Sequence, residues 1–265
     1  MSRTLRILLE YDGTAFHGFQ RQNSGVRTVQ GTLEELLTGL LGESIRVIGA
    51  GRTDAGVHAL GQVVSFKTTS ERSTRRIQRA INGLMHGDLV ARSVDDAAPD
   101  FDARRSASSR RYQYLVFNDD EPLSVMRHHA WHVFRPLEVE RMREASAGLV
   151  GRHDFRSFSS QASHLHQTRR TVTCTDVREV ARTDAMAVMT RLEEGRTLAF
   201  DVEAEAFLPH MVRMMVGTLV RIGTGEWPPH KIRELLERPQ DGAAGPPAPP
   251  QGLCLLHVRY RAAVC

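Results

Sequence analysis

Lysine is almost missing from this chain. Of 265 residues, 35 are Lys or Arg, and only Lys67 and Lys231 are lysines, which leaves 33 arginines. A GC-rich codon bias accounts for most of that imbalance. Chemically, the basic set is one that forks onto phosphates and stacks on bases. The net charge of +4 permits an acidic polymer as partner without requiring one. Cysteine is scarce as well. Cys174, Cys254 and Cys265 are odd in number and have no metal-ligand spacing, which argues against a disulfide framework and a zinc site. No apolar run approaches the roughly 18 residues of a membrane span. The run after Met1 is too short for a secretory signal, so the chain reads as cytoplasmic. Two histidine groups, His128/His129/His132 and His164/His166, lack carboxylates or thiols at a familiar ligand spacing. Gly49-x-Gly51 lacks both the Gly-Lys-Ser/Thr of a phosphate loop and a full dinucleotide fingerprint.

What is present is ordinary globular material, 41% hydrophobic and 25% charged, long enough to bury a sizeable core in one large or two modest domains. Leu5–Tyr11 reads as a strand closed by Asp12-Gly13. Val29, Leu33, Leu36, Leu37, Leu40 and Leu41 share a helical face, with Thr28 as N-cap and Gly42 as stop. Arg46–Ile48 and Gln62–Phe66 are strands flanking a glycine-rich loop. A helix over Arg75–Leu84 and a strand over Leu89–Val94 follow. The second half repeats the mixture: strands at Arg111–Phe117, Thr171–Val180, Ala187–Arg191, Thr197–Ala204 and Leu253–Tyr260, and helices at Glu138–Val150, Met211–Ile222 and Lys231–Leu236. The pattern predicts an α+β architecture with a boundary near residues 100–110. Pro239–Gln251, with five prolines, reads as a surface loop or mobile spacer.

The chemistry concentrates in Gly49-Ala50-Gly51-Arg52-Thr53-Asp54-Ala55-Gly56-Val57-His58. Asp54 stands two residues after a guanidinium, which favours the ionised carboxylate. A pre-oriented carboxylate serves as nucleophile or base. By spacing alone, a turn in which Asp54 bonds its own backbone is the commoner outcome. Tyr112, in Arg110-Arg111-Tyr112-Gln113-Tyr114, fits strand packing. It equally fits stacking on a base while the two arginines hold phosphates. Arg213 interrupts an apolar helix run, so it either snorkels to solvent or turns inward to pair with a carboxylate.

The Asp54 string resembles the central motif of the TruA family of tRNA pseudouridine synthases, in which the Asp of G-R-T-D-A-G-V-H-A is catalytic. The match runs on through Ala59-Leu60-Gly61-Gln62-Val63-Val64. Phe207-Leu208-Pro209-His210-Met211-Val212-Arg213 with Val216-Gly217 resembles F-x-x-H-M-V-R-x-x-V-G, whose Arg pairs with the catalytic Asp; Pro209 and Met214 stand where Tyr and Asn are frequent. The segment around Tyr112 resembles a basic-aromatic-x-aromatic motif whose first Tyr packs on the target nucleoside, leaving Tyr114 for the core. Tyr11 to Asn23 resembles the opening Y-D-G-T-x-(aromatic)-x-G-W-Q-R-Q, with Phe19 in place of Trp, and Gly252-Leu253-Cys254-Leu255 resembles a closing G-L-x-L. Gly151–Phe158 resembles a further segment, read as structural.

Matched segments span Tyr11 to Tyr260 in order. The resemblance implies an α+β pseudouridine synthase fold: two α/β halves with joined mixed, mainly antiparallel sheets and a central catalytic cleft. The first half is 1–105 with the Asp loop, the second 106–265. It implies conversion of uridine to pseudouridine at tRNA positions 38, 39 or 40, a homodimer, and no cofactor or metal. The implied roles are Asp54 as catalytic carboxylate, Arg213 as its ion-pair partner, and Arg52 to guide or replace the flipped base. Tyr112 and Leu253 would meet that base; Gln20, Arg21 and His58 complete the substrate-binding set. Whether Asp54 attacks C1′ or removes a sugar proton stays open. So do an RNA-binding protein without activity and a synthase for another RNA or a free nucleoside. Steep salt dependence separates polyanion from nucleoside binding.

Overall fold

The computed structural model describes residues 2–22, 25–85, 87–122, 124–180 and 195–261. The expected strand Ala187–Arg191 and Cys265 lie outside them. The fold is α+β, with ten strands in mixed, mainly antiparallel pairing and five α-helices among the described residues. Two compact units divide it: Met1–Arg110 with Cys254–Cys265, and Arg111–Leu253.

In the first unit, β1 (Arg3–Tyr11) is the central strand because it is apolar at alternate positions, with Leu5, Ile7 and Leu9 fully buried. It pairs antiparallel with β3 (His58–Thr68) on one side and β4 (Leu89–Ala97) on the other. The far edge of β3 is shared. β2 (Ile48–Gly49) pairs antiparallel near Val64, and β10 (Leu253–Tyr260) runs parallel at His58 and Ala59. Thus the closing strand, last in the chain, hydrogen-bonds within the first unit. Helix α1 (Val29–Leu41) starts where Thr28 Oγ1 accepts from the Gly31 amide (3.2 Å) and stops at Gly42, whose φ of 72° is left-handed. Both caps are those the sequence predicts. Helix α2 (Thr74–Leu84) covers β4 with Ile77 and Ile81.

In the second unit β5 (Ala107–Asn118, entered at Arg111), β9 (Arg196–Ala204), β8 (Arg169–Glu179) and β7 (Gly151–Asp154) lie side by side, with β6 (Trp131–Val133) parallel to β5. Helix α3 (Val139–Ala147) packs on β8. It also packs on α4 (Met211–Gly223) and α5 (Lys231–Glu237). The Pro-rich segment Pro239–Gln251, expected as a surface loop or mobile spacer, is a loop that straps across its neighbours by hydrogen bonds. Ala244 N–H donates to Ser157 O (3.0 Å), Gly245 N–H to Thr218 Oγ1 (2.9 Å) and Ala248 N–H to Arg213 O (2.9 Å). No described helix is long and apolar enough to cross a membrane. Cys174 and Cys254 are free, and burial pushes the Cys254 thiol up to about 12.

Candidate active site

The Asp54 loop leaves β2 and enters β3, and five of the eight backbone groups of residues 50–53 are held by hydrogen bonds. The buried Arg110 guanidinium donates to Ala50 O through Nε (3.2 Å) and Nη2 (2.8 Å), and Nη2 also reaches Arg104 O (2.8 Å). Ala50 N–H donates to Val63 O (2.8 Å). Gln62, fully buried, holds the next residue with both ends of its carboxamide: Nε2 donates to Gly51 O (2.8 Å) and Oε1 accepts from Gly51 N–H (3.4 Å). Two residues on, the Thr53 and Tyr11 hydroxyls pair at 2.8 Å, and Phe19 N–H donates to Thr53 O (3.0 Å). Gln62 Nε2 also donates to the Tyr11 hydroxyl (3.3 Å). Burial pushes the Tyr11 hydroxyl up to about 12 against its bonds to Thr53 and Gln62, so it stays neutral. A turn closes the loop through Val57 N–H to Asp54 O (3.2 Å).

Glycines let the opening loop seat against this one. A Cβ at Gly13 would stand 2.1 Å from Val57 O, and one at Gly49 would stand 2.3 Å from the Phe19 ring. Phe19, found where the related motif carries Trp, thus fills the space over Gly49. The result fixes the side chains that matter. Asp54 is half-buried; Arg52 is exposed, and no hydrogen bond or ion pair among the described residues engages its side chain. His58 is buried, its Nδ1 3.1 Å from both Gly13 N and Asp12 Oδ1. Gln20 is exposed. Arg21 is half-exposed, with Nη1 on the buried Glu34 carboxylate (3.2 Å) and its own N–H on Gln30 Oε1 (3.0 Å).

The second unit carries the remaining residues. Tyr112 is buried edge-on to Phe207, ring centroids 5.2 Å apart. Tyr114 is fully buried, donates to Pro249 O (2.7 Å), and its ring lies where a Cβ on Gly252 would be, 2.5 Å away. That is the core place expected for it, and burial raises its pKa strongly. Leu253 is buried. The arginines beside Tyr112 do not hang free for phosphates: Arg110 staples Ala50, and Arg111 pairs with buried Asp201 (3.4 Å), which also receives Arg178 (3.1 Å) and Gln113 (3.2 Å). Arg213 lies in the first turn of α4. Its Nε donates to Ala248 O (2.6 Å), and its own carbonyl accepts from the Ala248 amide. His210, just before α4, adopts φ 61°, a strained value for a residue with a Cβ, and its Nδ1 is 2.5 Å from Ser160 Oγ. Sequence patterns gave no sign of Gln62, Arg110, Ser160 or Ala248 as supports, because they act on backbone groups or on one another.

Comparison with known proteins identifies this arrangement. The family model described as tRNA pseudouridine synthase matches residues 7–104 and 145–261. The chain belongs to the tRNA pseudouridine synthase family, isomerases that act on tRNA uridine. Relatives named tRNA pseudouridine synthase A match 97% of its length. That of Pseudoalteromonas atlantica is 44% identical over 258 residues (97% of this chain, 92% of the relative). That of Geobacter sulfurreducens is 38% identical (97% and 100%) and that of Chloroflexus aurantiacus 42% (97% and 89%).

Proposed function

We propose that this enzyme isomerises uridine to pseudouridine at positions 38, 39 and/or 40 of the tRNA anticodon stem-loop, in the cytoplasm, as a homodimer, with Asp54 as the catalytic carboxylate. The observation that carries the assignment is the pinned loop, in which Ala50, Gly51 and Thr53 are each held by a buried side chain immediately before Asp54. Groups held this way lose little entropy on reaching the transition state.

A uridine in a stem is reached only after it leaves the stack. The C1′–N1 bond then breaks, the uracil turns, and C5 bonds to C1′; C5 loses its proton and N1 gains one. No net oxidation occurs, so the reaction calls for no redox cofactor. Asp54 drives it either by adding to C1′ or by removing a sugar proton. Arg213 pairs with Asp54. Exposed Arg52 guides the extruded base or fills its place, and Tyr112 and Leu253 pack against that base. Gln20 and Arg21 meet the RNA. His58, committed to Asp12 and Gly13, serves by holding the opening loop.

The test is tritium release from tRNA labelled at uridine C5, with Asp54→Asn beside the wild type and sites mapped in the product. Release by the wild type alone, at 38–40, is expected. Equal release from both proteins would remove Asp54 from the chemistry; release mapped elsewhere would remove the stem-loop assignment.

A further inference from the structure

Helix α2 carries three arginines on the face it turns to solvent. Arg75, Arg76 and Arg79 are all exposed and fall within about 100° of arc, opposite Ile77 and Ile81, which anchor the helix. Gln78 Nε2, donating to Arg92 O (2.8 Å), and Asn82, paired with Ala91 through N–H to Oδ1 (2.7 Å), fix its rotation on β4. Among the described residues no ion pair engages the three guanidinia, and Glu71, the nearest acid in sequence, makes none. On β4, Asp95 and Asp96 are already paired with Arg6 and Arg3.

For folding, this placement is adverse. Arg75 and Arg76 sit in the first turn, which has no acid, where the helix dipole disfavours positive charge. Arg75 and Arg79 are a like-charge i,i+4 pair. Three mutually repelling cations kept bare on one face are suited to a polyanion that neutralises them.

We propose that the Arg75–Arg76–Arg79 face of α2 binds phosphates of the tRNA substrate. The proposal rests on tRNA being the substrate and not on which uridine is converted, so product mapping and the measurement below fail independently.

The experiment measures kcat and KM on full-length unmodified tRNA against salt, for wild type, the Arg75→Ala/Arg76→Ala/Arg79→Ala variant and the corresponding triple Lys variant. Thermal melting is followed in each. In the Ala variant KM rises at least about tenfold and kcat stays within about twofold. The slope of log KM against log salt falls by two to three, since each phosphate contact contributes about 0.7–0.9. The Lys variant keeps most of the wild-type slope, and the Ala variant melts no lower than wild type. An unchanged KM and slope overturns the proposal. So does a loss of kcat at unchanged KM, an equal loss in the Lys variant, or a KM increase accompanied by a lowered melting temperature.

Discussion

Gln62 holds Gly51 by both its N–H and its carbonyl, so one side chain on β3 stands in for the strand partner that the Asp54 loop lacks. Among neutral side chains only the carboxamides of Gln and Asn offer a donor and an acceptor spaced for that, and Gln has the longer reach. With Arg110 on Ala50 and Tyr11 on Thr53, the path into Asp54 is fixed at three of four consecutive residues, and Arg52 alone points outward.

Gln62→Met keeps the volume and removes both contacts to Gly51 as well as the bond to the Tyr11 hydroxyl. The part-buried Gly51 groups lose their partner, and unfolding free energy drops by about 1–3 kcal/mol in urea titration. At temperatures where the variant is fully folded, single-turnover rate falls about tenfold or more while tRNA affinity changes little, because a displaced loop costs orientation rather than binding. Wild-type turnover in a destabilised Gln62→Met protein would show that the grip serves stability alone.

Tyr11 makes alkaline pH a probe of the same network. Its folded-state pKa is raised from 10.0 to about 12 by burial. A raised pKa means the native state holds the proton longer than the unfolded chain does. The stabilisation is therefore complete below pH 10 and is lost as pH climbs through the folded value. Between about pH 10 and 12 unfolding free energy falls by roughly 1.4 kcal/mol per pH unit on account of this group. Urea unfolding of Tyr11→Phe at pH 8, 9, 10 and 11 shows a shallower alkaline slope by that amount. It also lies about 1 kcal/mol below wild type at pH 8 for the lost hydroxyl bonds. An identical alkaline slope in both proteins would place the titration elsewhere.

How much of this was legible in the sequence depends on what each residue acts on. Strand β1 and helix α1 declare themselves through period-two and period-3.6 burial, and Thr28 and Gly42 mark the ends of α1 with side-chain and φ requirements that few residues meet. Tyr114 is the core residue that the family resemblance implied. Arg110 and Arg111 were open to a phosphate-binding role by composition. They turn inward, to the Ala50 carbonyl and the Asp201 carboxylate, through partners 60 and 90 positions away that no local pattern connects. Gln62 gave no signal because the groups it binds belong to every backbone alike. The segment Pro239–Gln251 is a loop, one of its two readings, but one bonded to its neighbours rather than a free spacer. Five prolines in thirteen residues suggest a spacer, yet proline also lowers the entropy lost on docking, and small residues beneath let the chain approach.

That approach makes Gly217 the test of the strap. A Cβ there would stand 1.9 Å from Pro246 O, and Pro246 lies two residues from Ala248, which holds Arg213 by both backbone groups. In a free helix Gly→Ala stabilises by about 1 kcal/mol. Here the sign reverses, because the strap carbonyl cannot yield without breaking the Gly245 bond to Thr218 and the Ala248 bonds to Arg213. Gly217→Ala therefore loses about 1–3 kcal/mol of unfolding free energy by overpacking. Its turnover falls together with that of Arg213→Lys, which keeps the charge but lacks the Nε donor. Adding Arg213→Lys to Gly217→Ala brings little further loss, since both act through the same seat. A Gly217→Ala protein that melts higher than wild type and turns over normally would mean that the strap does not hold Arg213 in place.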